Sequence, residues 1–149
     1  MAVSKALLRL LRVRGIEEEH RRITLETASQ QLRNLEKARD AALAREGQGR
    51  ELTKRSVESG ELLDRISGLV ETAAGRSQAH SLSSQIEVSE AERFRLQQKL
   101  FEKRAERRQA ETLVEETQAL DATAEDRRSQ QALDDWYGSR RFRARQDEE

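Results

Sequence analysis

The chain contains no cysteine, which excludes disulfides and thiolate chemistry and sets it apart from small secreted domains stapled by bridges. It contains no proline either, although ordinary usage near 5% would place about seven in a chain of this length. Glycine alone is left to break a helix, and five of the seven glycines fall between Gly47 and Gly75. Aromatic residues are only 3% of the chain. The most apolar opening run, Ala6 to Val13, is cut by Arg9 and Arg12 before a signal-peptide core or membrane span can form. Its arginine-rich start mimics an organellar transit peptide, but the pattern runs on into an acidic helix with no cleavage signal, which disfavours that reading. An excess of charge of one sign is missing too. Lys and Arg number 28, Asp and Glu number 28, whereas a general polyanion binder should be clearly basic.

What remains is charge and helix. Charged residues are 38% and the apolar set 35%, against about 25% charged in an ordinary globular domain. So little apolar surface cannot make a thick core. The stretch from Leu82 to Tyr137 has no glycine and reads as one long helix. Its apolar residues recur at Leu82, Ile86, Leu96, Leu100, Ala110 and Val114, with Ser89, Arg93, Lys103 and Arg107 in the gaps. Beyond Ala110 a neighbouring frame of Leu113, Thr117, Leu120 and Ala124 is expected to take over, as a straight helix drifts against a seven-residue repeat. Such a helix extends roughly 80 Å at 1.5 Å per residue, too long for the rest of the chain to wrap.

The flanks follow the same logic. A first helix is expected from about Ser4, as N-cap, to Glu46, where Gly47 to Gly49 would stop it. Leu25, Ala28, Leu32, Leu35 and Ala42 form its stripe, with Ile16, His20 and Ile23 as a second frame. A short, looser helix is expected over about 50–74, then a joint from Gly75 to Ser84. Gly138 would end the long helix, leaving residues 138–149 as a frayed tail. Charge is sorted along the chain. Lys5, Arg9, Arg12 and Arg14 precede Glu17 to Glu19, whereas Lys103, Arg104, Arg107 and Arg108 precede an acidic block from Glu111 to Asp126. Antiparallel pairing with residue numbers summing to roughly 125 sets each basic stretch against an acidic one. The fold class is therefore all-α: a single long antiparallel two-helix coiled coil, a monomeric helical hairpin rod with a looser middle.

No constellation asks to be called catalytic. Glu17 to Glu19 and the Glu115-Glu116 pair sit beside bases on solvated faces, where no burial raises a pKa. His20 reads as a seam residue and His80 as a joint residue, with no cysteine and no metal-ligand spacing. Gly47-Gln48-Gly49 lacks the phosphate-loop frame and follows a helix. No cofactor and no metal is expected. Trp136, Tyr137 and Phe142 beside Arg140, Arg141 and Arg143 admit three readings: local packing at a helix end, a docking tip, or base stacking on a nucleic acid. The neutral chain favours the first two.

The opening Leu7-Leu8-Arg9-Leu10-Leu11-Arg12-Val13-Arg14-Gly15-Ile16-Glu17-Glu18-Glu19 resembles the flagellar export protein family FliJ. The closing run Glu125 to Trp136, with its acidic pair Asp134-Asp135 before an aromatic and its arginine-rich tail, is similar to that family's C-terminal pattern. The likeness extends over the whole chain in length and layout. It implies an antiparallel two-helix coiled coil shaped like the central stalk of rotary ATPases. It also implies a stalk in the hexameric export ATPase, held by the end carrying both termini, and contact with the cytoplasmic domain of the export gate and with export chaperones. The site would be cytoplasmic, peripheral to the inner membrane, without insertion into it. The injectisome stalk protein of the YscO type shares this architecture.

On the charge register the long helix outruns the first beyond roughly Asp121. Leu133, Trp136 and Tyr137 are then left seeking a partner. With Arg9, Arg12 and Arg14 of the first helix and Arg127 and Arg128 of the last, they form the expected ATPase-docking surface. The function expected is non-enzymatic, with a self-associating coiled-coil scaffold as the rival and a nucleic-acid-binding hairpin behind it.

Overall fold

The computed structural model describes residues 4–146, with side chains described over 4–143. Two helices fill almost all of that span: α1, Lys5–Ser59, and α2, Leu62–Gln146. No strand occurs among the described residues, and the class is the expected all-α pairing of two long helices. Ser4 caps α1 as its sequence position predicts. Its hydroxyl accepts from the Ala6 amide at 3.2 Å and its carbonyl from the Leu7 and Leu8 amides, meeting donors that the first turn leaves unsatisfied.

The helix boundaries differ from those expected. Gly47 to Gly49 do not stop α1, which continues to Ser59, and there is no separate helix over 50–74. The break falls at Gly60 and Glu61. Gly60 takes φ +76° and its amide bonds to the Ser56 carbonyl at 2.9 Å, a left-handed C-terminal cap that costs least at glycine. Gly75 to Ser84 is continuous helix and not a joint, and Gly138 does not end α2. A lone glycine in a helix costs only about 1 kcal/mol, and no proline is present to convert that cost into a stop. Of the tail expected to fray, residues 138–146 are helical, and Asp147 to Glu149 lie outside the described residues.

The chain divides into two units, one of Glu19–Glu102 and one of Met1–Glu18 with Lys103–Glu149. The first is an antiparallel hairpin closed by the Gly60 turn. Leu32, Ala42, Ala79, Ile86, Leu96 and Leu100 are its buried apolar residues, as the three-four stripes predict. Ile23 and His20, expected as a second frame, are exposed. They fall off the heptad that Arg21, Leu25, Ala28, Leu32 and Leu35 define, because α1 buries only one narrow seam.

Near the turn the glycines become contacts. A methyl group on Gly49 would lie 2.6 Å from the Thr72 backbone nitrogen and 2.7 Å from the Gly68 carbonyl oxygen. One on Gly75 would lie 2.6 Å from the Glu46 nitrogen and 2.7 Å from the Ala42 carbonyl oxygen. Here the backbones themselves touch, so small residues replace the leucines of an ordinary seam. Glu46, buried beside Gly75, accepts from Arg50 and from Arg76, the latter at 3.1 Å. Arg45 and Glu71 clamp the two helices with paired hydrogen bonds, which hold the Glu71 carboxyl below its ordinary range.

Candidate docking surface

The second unit begins as a two-helix segment held mostly by charge. Ala110 and Val114 are buried and Leu7 and Leu11 half-buried, but the heptad positions that follow on α1 are Arg14 and Glu18, facing Lys103 and Arg107 on α2. Arg14 bonds Glu17 at 3.0 Å and Glu106 across the pair. Lys103 reaches Glu17 and Glu106, Arg104 donates to Glu18 at 3.1 Å, and Arg107 joins Glu18 to Glu111. The Arg14 hydrogen bond, opposed by desolvation and helped by the weaker attraction of Lys103, holds the Glu17 carboxyl below its ordinary range.

The antiparallel sense, and the Glu triplet facing the basic block, are those the charge sorting predicts. The register is not. Arg14 meets Glu106, about five residues short of the Glu111 region. The frame is corrected as well: Leu113 and Leu120 are exposed, and the less exposed positions follow the strict heptad Ala110, Val114, Thr117, Asp121 and Ala124. Ile16 is likewise exposed. Charged heptad residues keep their stems in the seam and their heads at its edge, so no drift to a leucine frame is needed.

At this register the start of α1 reaches only the level of about residue 115, and α2 continues to Gln146, roughly 45 Å further at 1.5 Å per residue. Every side chain from Glu125 to Arg143 is exposed. Along this stretch Leu133, Trp136, Tyr137 and Arg140 fall at i, i+3, i+4 and i+7 and so share one face. Trp136 and Tyr137 meet edge to face with ring centroids 4.9 Å apart, and the Arg140 guanidinium lies over the Trp136 ring at 5.0 Å. Local packing of the aromatics therefore occurs, yet Trp136 keeps 51% and Tyr137 60% of its surface in contact with solvent.

The eight residues expected to dock do not converge. Leu133, Trp136 and Tyr137 form one cluster, and Arg140, not among them, completes it; its spacing of four from Trp136 was the available signal. Arg127 and Arg128, at about 100° per residue, project more than roughly 120° away from the centre of that face. Arg9 and Arg12 are exposed on α1; by the register they lie level with about residues 108–111, some 40 Å of helix before Trp136. Arg14 is committed to Glu17 and Glu106.

No group of three or more His, Cys, Asp or Glu converges for a metal ion among the described residues. No helix there is long and apolar enough to cross a membrane. Among the described residues the chain is an all-α pairing of two long antiparallel helices, with an aromatic face on the stretch of α2 that follows the pairing. No family model, curated protein or solved structure matches the chain.

Proposed function

We propose that the chain is a non-enzymatic stalk component of a flagellar type III protein export apparatus. It would sit in the ring of the export ATPase and couple that ring to the cytoplasmic domain of the export gate, at the cytoplasmic face of the inner membrane. The observation that supports this most is the unaccompanied end of α2. A helix alone in water gains little from propensity and is stabilised mainly by a partner. This one carries its only large apolar cluster, Leu133, Trp136 and Tyr137, on one exposed face. Inserted into a ring, the cluster would supply the desolvated anchor, with Arg140 and the flanking arginines facing acidic loops. The similarity of residues 7–19 and 125–136 to FliJ supports the same reading, and an injectisome stalk of YscO type would use the same surface.

Truncation tests it. A chain ending at Ala132 should keep its two-helix segments, and hence most of its ellipticity, and lose stimulation of an export ATPase. Full stimulation by the truncated chain would sink the docking assignment.

A further inference from the structure

The docking face uses one unit; the hairpin unit, Glu19–Glu102, has an unpartnered face of its own. Between Leu62 and Ser84 α2 presents two seams. The inner one, Gly68, Thr72, Gly75 and Ala79, touches α1. Leu63, Ile66, Val70, Ala73, Ser77, His80 and Ser84 recur at alternating steps of three and four on nearly the opposite side. All are exposed, and none carries Asp, Glu, Lys or Arg. Leu62 and Leu69 widen the strip at its start. Exposures of 66%, 81%, 50%, 55% and 57% for Leu62, Leu63, Ile66, Leu69 and Val70 amount to roughly 500 Å² of apolar surface, near the upper end for any single patch on a monomer.

We infer that this outer strip of α2 is an interface with a second copy of the chain, the two α2 helices running antiparallel across a two-fold axis near Ala73. Three features select a second copy. The strip is graded: its first half is large and aliphatic, and its second half is Ala73, Ser77, His80 and Ser84. Antiparallel pairing about Ala73 sets Leu63 against Ser84, Ile66 against His80 and Val70 against Ser77, so large residues meet smaller ones in both halves, as an isologous contact requires. The strip has no charge to orient a foreign partner, and the pairing brings no like charges face to face. With the smaller half included, each copy would bury close to the roughly 800 Å² of a standard interface. This dimer departs from the monomer that two mutually covering stripes predict. It does not rest on the export reading, since it needs neither the ATPase nor residues beyond Ser84.

The absence of native cysteine makes the test direct. Sedimentation of the full chain between about 1 µM and 1 mM should show a monomer–dimer equilibrium. Ala73→Cys should cross-link to its own copy under mild oxidation, whereas Val57→Cys, exposed on α1 and set far from its own copy by a two-fold axis near Ala73, should not. The pair Ile66→Glu and Val70→Glu should raise the dissociation constant at least about a hundredfold, because carboxylates would be buried unpaired. Both residues are at least half exposed, so the monomer's helicity should be unchanged. A chain that stays monomeric to 1 mM, a dimer indifferent to the double substitution, or a monomer that instead floats with phosphatidylcholine vesicles through this strip would each overturn the inference.

Discussion

At Gly68 the two helices approach backbone to backbone. A methyl group there would run into the Thr53 hydroxyl and lie 2.7 Å from both the Gly49 carbonyl oxygen and the Thr53 amide nitrogen. Two of those atoms are backbone and cannot rotate away. Gly68→Ala gains about 1 kcal/mol of helix propensity, and forcing the helices apart costs about 1–3 kcal/mol, so we expect net destabilisation. Gly15, with nothing within 4 Å of the same position, has only the gain. Gly15→Ala should stabilise by up to about 1 kcal/mol. Urea denaturation of the two variants should therefore move in opposite directions, and a stabilised Gly68→Ala would refute the close approach. The sequence shows two glycines in helical context and nothing that separates them. The difference lies in which faces the seam, and that depends on register.

At the scale of an element, α2 was legible where its seam is built of large side chains. Ile86, Leu96, Leu100, Ala110 and Val114 repeat at heptad spacing and all five are buried. The misreading lies where the seam is made of Gly68, Thr72, Gly75 and Ala79: such residues leave no hydrophobic period, so they read as a loosened helix and a joint. The aliphatic residues that do show a period there, Leu62 to Val70, belong to the outer face. The exposed leucines of α2 give a clean comparison. Leu96→Ala and Leu100→Ala, at 6% and 4% exposure, should each cost about 2–4 kcal/mol. Leu113→Ala and Leu120→Ala, at 49% and 71%, should cost less than about 1 kcal/mol. Thermal unfolding followed by circular dichroism separates the two classes. Equal losses in both would mean that α2 is packed through the Leu113 frame after all.

For the molecule as a whole, a charge balance of 28 against 28 conceals two uses of arginine that only the pairing distinguishes. The aromatic end of α2 was legible because Leu133, Trp136 and Tyr137 lie beyond any matching stripe in α1. By sequence Arg14 goes with Arg9 and Arg12, because all three share a basic run; its role turns on Glu106, about five residues from the position that the charge sorting sets opposite it. Arg14 closes a network with Glu17, Lys103 and Glu106 at a place where the seam has no apolar residue. Its side chain keeps 32% exposure, so solvent screens the pairs and Arg14→Gln should cost no more than about 1 kcal/mol. The loss should appear locally, as faster amide exchange near residues 11–18 and 103–110, and should shrink at about 1 M salt, where the screening length is near 3 Å. Arg9→Gln with Arg12→Gln should leave that exchange unchanged. On the export reading, the latter pair should instead slow association with the ATPase and flatten its dependence on salt, because exposed charges act mainly on encounter. If Arg14→Gln leaves amide exchange untouched and reduces ATPase association as much as the Arg9 and Arg12 changes do, Arg14 belongs to the docking surface and not to the seam.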